Sequence, residues 1–122
     1  AIKEGRQKEL RLGNLDATRD WGHAKDYVKA MWMMLQHDVP DDFVCSTEVS
    51  HTVKDLVDYV FKKIDLPNWK TFVGQDEKYM RPEELKYLRG DSTKLRTTFG
   101  WKPEYTFETL MDEMIDHWLT IY

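Results

Sequence analysis

The segment GNLDATRDWGHAKDYVKAMWMML, residues 13–35, decides how this chain is read. It opens on a turn signal, Gly13-Asn14, places Arg19, Asp20, Trp21 and His23 within five positions, and runs into five consecutive apolar residues, Met31 to Leu35. Its second half predicts a helix from Ala24 to about Gln36. At about 100° per residue, Lys25, Lys29 and Gln36 define a wet face, and Tyr27, Val28, Met31, Met34 and Leu35 cover the opposite side. Trp32 and Met33 flank the polar stripe, so the apolar arc is wider than one core face. Such an arc belongs either to a helix buried on two sides or to a helix that meets something outside this chain, such as another domain.

Outward from that helix the signals are short. Glu9-Leu10-Arg11-Leu12 alternates as a half-buried strand does. Asp42-Phe43-Val44-Cys45-Ser46 reads as a short buried strand and Lys70-Thr71-Phe72-Val73 as another. Thr52 and Asp55 form a capping-box pattern for a helix over Val53 to Ile64, whose face is Val53, Leu56, Val57, Val60, Phe61 and Ile64; Pro67 prevents its continuation. Residues 74–90 read as a loop with a short helical piece after Pro82. Asp91 caps a short helix that stops at Gly100. A last helix follows Thr106, from Phe107 to about Leu119. Its apolar arc is Phe107, Leu110, Met111, Met114, Ile115 and Trp118, and Glu108, Asp112, Glu113 and Asp116 are its solvated face. The fold class is α+β, several helices with a few short strands, without the strict βαβ alternation of a complete parallel sheet. The opening AIKEG reads as the last turn of a helix with Gly5 as its stop, so the natural domain is expected to begin before residue 1.

With 122 residues the chain has the size of one domain, and about two thirds of its unfolded surface can be buried. The net charge of −4 argues against a general nucleic-acid binder, which carries a basic stripe. No apolar run approaches the ~20 residues of a membrane span. One cysteine, Cys45, excludes an intrachain disulfide and fits a reducing, cytoplasmic setting.

Much of the common chemistry is missing. Glycines 5, 13, 22, 74, 90 and 100 are too dispersed for a phosphate-binding fingerprint. Histidines 23, 37, 51 and 117 lack metal-ligand spacing. His23, near Asp20 and Asp26, reads as a hydrogen-bonded structural histidine, and Cys45 as a small buried hydrophobe without a neighbouring base. Two arginine contexts are more informative. Arg19 follows the turn at Gly13–Asp16 and precedes Asp20 and Trp21, which can orient it; a guanidinium so fixed can bind phosphate bidentately. In Tyr79-Met80-Arg81-Pro82-Glu83-Glu84, Pro82 biases Arg81 to an extended backbone. Arg81 and Glu84 can then point the same way, the cation toward a diphosphate and the carboxylate toward ribose hydroxyls. A surface ion pair is the competing reading for each arginine, and physics alone leaves both open.

At these residues a family resemblance enters. LGNLDATRDWGHAKDYVKAMWMMLQ, DFVCSTEVSHTVKDLV, YMRPEELKYLRGDSTK and FGWKPEYTFETLMDEM resemble the corresponding segments of GDP-mannose 4,6-dehydratases, members of the extended short-chain dehydrogenase/reductases. The first segment is highly specific; the others are shared in part with related nucleotide-sugar enzymes. The resemblance covers nearly the whole chain and implies the small C-terminal substrate-binding domain, residues 1–122, without the N-terminal Rossmann domain that binds NADP and carries the catalytic Thr, Glu and Tyr-x-x-x-Lys. Tyr59-Val60-Phe61-Lys62 is one residue short of that last motif. By the resemblance Arg19 and Arg81 contact the diphosphate of GDP-mannose, Glu84 the ribose hydroxyls, and Gly13 and Asn14 lie near the base. The full-length enzyme is expected to be a homo-oligomer that converts GDP-mannose to GDP-4-keto-6-deoxymannose, and the isolated chain to be inactive. A stand-alone nucleotide-binding or interaction module, or part of another nucleotide-sugar dehydratase or epimerase, are the alternatives. The sequence departs from the family in three places. Val73 to Met80 is shorter than the family's glycine-containing insertion. Ser46-Thr47-Glu48-Val49 stands where the family carries a glycine after Ala-Thr. Glu83 replaces a usual Thr or Ala.

Overall fold

The helix over Val53–Lys63 (α2) forms as its local signals dictate. Thr52 Oγ1 accepts the Asp55 N–H at 2.9 Å and the Asp55 carboxylate accepts the Thr52 N–H at 2.8 Å, a reciprocal capping box. Val57 and Phe61 are buried on the predicted face, and Leu66, Val53 and Phe72 pack beside them. The computed structural model describes residues 1–121 and divides into two compact units. The first comprises Ala1–Arg19 and His51–Tyr87; the second comprises Asp20–Ser50 and the chain from Leu88 to the last described residue.

In the first unit, β1 (Leu10–Leu12) pairs in parallel with β4 (Val73–Gln75), Leu10 opposite Val73. The pair is short and antiparallel β2 (Thr18–Arg19) and β3 (His51–Thr52) form a second one, Thr18 opposite Thr52. Neither pairing was visible in the sequence. The strand expected over residues 70–73 is displaced: Trp69–Thr71 is a 3-10 turn, and pairing begins only at Val73 because its partner Leu10 sits there. Val57, Phe61, Trp69 and Val73 make the core. The helical piece expected after Pro82 is absent. A 3-10 turn at Glu77–Tyr79 precedes it instead, started by Asp76, whose side chain accepts the Lys78 N–H at 3.0 Å.

The second unit holds three helices, α1 (Ala24–Leu35), α3 (Thr93–Phe99) and α4 (Phe107–Ile121). Its core cluster is Ala30, Leu95 and Trp101, with Tyr27, Met33, Met34, Phe43, Cys45 and Phe99 around it. Asp26 is 2% exposed, and its carboxylate accepts the N–H groups of Glu104 and Tyr105. The buried side of α1 is therefore Asp26, Ala30, Met33 and Met34. The side expected from the sequence was Tyr27, Val28, Met31, Met34 and Leu35; Tyr27 and Met34 do pack on the core, whereas Val28, Met31 and Leu35 are exposed, with Trp32. The periodicity was right, but the core chose the flank where a small residue and a buried acceptor let another chain segment approach. Asp91 serves α3 from one position earlier than a formal cap: its carboxylate accepts the Thr93 N–H at 2.9 Å. Gly100 ends α3 at φ +67°, and Thr106 and Thr109 bond reciprocally at the start of α4. The short strand expected over residues 42–46 does not form: the segment is irregular and pairs with no strand among the described residues.

Candidate functional site

All five residues singled out by the sequence, Gly13, Asn14, Arg19, Arg81 and Glu84, lie in the first unit. β1 delivers Gly13 and Asn14. Gly13 is required by close approach, since a side chain there would run into the Tyr79 carbonyl. Its own carbonyl accepts Gln75 Nε2 at 3.2 Å. The Asn14 side chain accepts the Asp16 N–H at 2.9 Å and closes the turn that leads to β2.

β2 then places Arg19. Its Nη2 donates to Glu84 Oε1 at 2.9 Å, and its Nη1 donates to the carbonyls of Thr18, at 2.7 Å, and Leu85, at 3.0 Å. The Thr18 N–H and hydroxyl both donate to the Lys86 carbonyl at 3.1 Å, fixing the 84–86 segment beside the strand. The side chains of Arg19 and Glu84 are 24% and 18% exposed, so the pair is desolvated enough to hold its geometry and open enough to meet a ligand.

Two expectations are corrected here. Asp20 and Trp21 do not orient Arg19. Asp20 is occupied in the second unit by the N–H groups of Thr47, Glu48 and Gly90, and Trp21 packs against Phe107 there. Arg81 and Glu84 do not act as a pair on one turn. Glu84 turns to Arg19, and Arg81 is exposed just before Pro82. The sequence missed Thr18, Gln75 and Tyr79, which shape the site through backbone contacts that leave no motif.

His23 is structural, as read: Nδ1 accepts the Lys25 N–H at the start of α1, and the ring stacks on Tyr105 at 3.9 Å. The nearby carboxylates of Asp20 and Asp26 serve backbone N–H groups elsewhere. Burial, with Asp26 nearby, pushes the Cys45 thiol above its ordinary range. Among the described residues no group of three His, Cys, Asp or Glu side chains is arranged to hold a metal ion. No helix of the described residues is long and apolar enough to cross a membrane.

Comparison with known proteins gives a consistent result. The sequence profile of the family described as GDP-mannose 4,6 dehydratase matches residues 1–114. GDP-mannose 4,6 dehydratase 1 of Arabidopsis thaliana is 51% identical over 115 residues, which cover 94% of this chain and 32% of that protein. The Homo sapiens GDP-mannose 4,6 dehydratase is 44% identical over 120 residues, covering 85% of this chain and 32% of the relative. The chain thus spans about a third of the length of the relatives it matches. Among solved structures, RMD of Pseudomonas aeruginosa, complexed with NADPH, superposes with a TM-score of 0.86 at 23% identity, over 99% of this chain and 39% of that one. The dTDP-glucose 4,6-dehydratase of Bacillus anthracis, in complex with NAD, superposes at 0.83 and 21% identity, over 98% of this chain and 36% of its own.

Proposed function

Because the chain belongs to the GDP-mannose 4,6-dehydratase family, we propose that residues 1–122 are the C-terminal nucleotide-sugar-binding domain of such an enzyme. The full-length protein is then an NADP-dependent lyase that converts GDP-mannose to GDP-4-keto-6-deoxymannose in the cytoplasm, as a homo-oligomer. This chain supplies substrate binding and no catalytic residue. Arg19 and Arg81 hold the diphosphate, Glu84 takes the ribose hydroxyls, and Gly13 and Asn14 border the base.

One observation carries this reading: Arg19 and Glu84, 65 residues apart in the chain, meet at 2.9 Å in a partly open site. A guanidinium already desolvated and aimed is a ready bidentate donor to phosphate, with little further ordering to undergo. An incoming diphosphate competes with Glu84 for Arg19 and releases that carboxylate for the adjacent sugar hydroxyls. Arg81, exposed at the surface, adds a second positive charge.

The residues present do not fit NADP. Gly13, Gly22 and Gly90 are occupied by close packing against Tyr79, Tyr27 and Ser46, and Gly5 and Gly100 by left-handed turns. No cofactor step is assigned to this chain, and the Rossmann domain is the expected NADP site.

Titration of the labelled chain with GDP-mannose, GDP, UDP and CDP by NMR tests the reading. Shifts at Gly13, Asn14, Arg19 and Glu84 with guanine nucleotides are expected, with weak affinity because part of the site's wall is missing. Tightest binding of UDP would refute the substrate assignment. Turnover of GDP-mannose by this chain with added NADP would refute its assignment as a non-catalytic part.

A further inference from the structure

In the first unit, the turn that follows β4 is pinned to the end of β1. The Asp76 N–H donates to the Leu12 carbonyl at 2.9 Å, and the Tyr79 N–H donates to the Asp76 carbonyl at 3.0 Å. Gly13 approaches this turn so closely that a side-chain carbon on it would stand 2.4 Å from the Tyr79 carbonyl oxygen. The backbone of the turn is therefore fixed, yet the side chains at either end of it, Gln75 and Tyr79, are exposed, Tyr79 to 52%. Neither belongs to the core cluster of Val57, Phe61, Trp69 and Val73.

The Gln75 amide is oriented. Its Nε2 donates to the Gly13 carbonyl at 3.2 Å, and that bond decides which end of the amide is nitrogen, because the amide oxygen in the same place would meet another acceptor. Among the described residues, Oε1 and the second Nε2 hydrogen of Gln75 have no side-chain or backbone partner. An exposed amide held this way presents one acceptor and one donor in a fixed order. The Tyr79 ring adds an apolar plate beside it, with Lys78 Nζ 5.6 Å from the ring centroid on one face. An aromatic ring on a fixed turn has little freedom left to lose when it is covered.

We propose that Gln75 and Tyr79 read the nucleobase: the Tyr79 ring stacks on it, and the anchored Gln75 amide pairs with its edge and tells guanine from adenine. The proposal rests on the nucleotide reading above, in which Gly13 and Asn14 border the base. The two purines present opposite orders at neighbouring positions. Guanine offers O6 as an acceptor beside N1–H as a donor, and adenine offers an amino donor beside N1 as an acceptor. A freely turning amide serves either order, whereas one anchored by the Gly13 carbonyl serves a single order. With guanine, Oε1 accepts N1–H and the remaining Nε2 hydrogen donates to O6. Stacking on Tyr79 is indifferent to which purine is bound, so the two side chains divide the work: the ring supplies affinity for a base, and the amide supplies the choice between bases.

The test titrates this chain with GDP, ADP and inorganic pyrophosphate by NMR, with the Tm of each variant as the check on folding. The parent chain is expected to bind GDP about tenfold more tightly than ADP. Gln75→Ala should weaken GDP by about tenfold, abolish the preference over ADP and leave pyrophosphate unchanged. Tyr79→Leu should weaken GDP and ADP alike by about tenfold, again without effect on pyrophosphate, and Tyr79→Phe should behave as the parent. Tm is expected to hold in all three, because the contact with Gly13 is made by the Tyr79 backbone. Equal binding of GDP and ADP by the parent would overturn the inference, as would a GDP preference that survives Gln75→Ala or GDP binding indifferent to Tyr79→Leu. A loss of pyrophosphate binding in step with GDP, or a lowered Tm, would make the two side chains structural and equally overturn it. GDP binding that ignores these variants leaves the nucleotide reading standing, whereas no binding of GDP or pyrophosphate removes that reading and this inference with it.

Discussion

Arg19 and Glu84 form an ion pair at 2.9 Å, with the two remaining Arg19 contacts made to the carbonyls of Thr18 and Leu85. The guanidinium is thus held by one charge and two dipoles before any ligand arrives. Replacing it separates stability from binding. Arg19→Ala is expected to cost at most about 1 kcal/mol in urea unfolding, because the pair is partly solvated. It should weaken GDP binding by about ten- to a hundredfold, the loss of charge-assisted hydrogen bonds to phosphate. Glu84→Gln keeps the shape and should weaken ligands with a ribose more than inorganic pyrophosphate, read by calorimetric titration.

Two glycines make opposite demands. Gly13→Ala places a methyl group against the Tyr79 carbonyl and is expected to cost about 1–3 kcal/mol and to broaden the NMR signals of residues 76–80. Gly100→Ala meets open space, and its cost, about 1 kcal/mol, comes only from φ +67°. Thermal unfolding with chemical shifts at residues 76–80 distinguishes a steric cost from a conformational one.

Glu48 carries φ +67°, in the left-handed region that favours glycine. Its carboxylate accepts the Ser92 N–H at 2.8 Å and the Ser92 hydroxyl at 3.1 Å. Glu48→Ala loses these bonds and retains the strain, whereas Glu48→Gly loses the bonds and relieves it. The glycine variant should be more stable than the alanine variant by about 1 kcal/mol, and both less stable than the parent. Equal stabilities in urea would show that the left-handed backbone carries no cost.

The capping box gives a pH dependence of known sign. The Thr52 N–H, then the Thr52 hydroxyl, holds the Asp55 carboxyl below its ordinary range. A depressed carboxyl pKa contributes stability that is present above the unfolded value and is lost as pH falls through the folded one. Urea unfolding from pH 7 down to about pH 3 should therefore show a decline that Asp55→Asn reduces. Thr52→Ala is expected to cost about 1 kcal/mol at neutral pH.

Burial raises the Cys45 pKa, so less thiolate is available at its surface. Its reaction with a disulfide reagent at pH 8 should be about tenfold slower or more in the folded chain than in urea. Equal rates would place the thiol in solvent and remove it from the core around Leu95 and Trp101.

What the sequence determined by itself was local. The Thr52–Asp55 capping box, the α2 face around Val57 and Phe61, the left-handed stop at Gly100 and the start of α4 at Thr106 each depend on residues within about a turn of one another. The residue types suited to phosphate and ribose were also legible, as was the surplus of apolar surface on α1. Tertiary structure decided the rest. The parallel pairing of Leu10–Leu12 with Val73–Gln75, the meeting of Arg19 with Glu84 and the occupation of Asp20 by Thr47, Glu48 and Gly90 all join segments far apart in the chain. Such contacts are selected by what can be buried and hydrogen-bonded together, and that has no fixed spacing in sequence. The same reason explains α1: its period is a property of the helix, but which flank is buried depended on where Trp101 and the 104–105 backbone could reach Asp26.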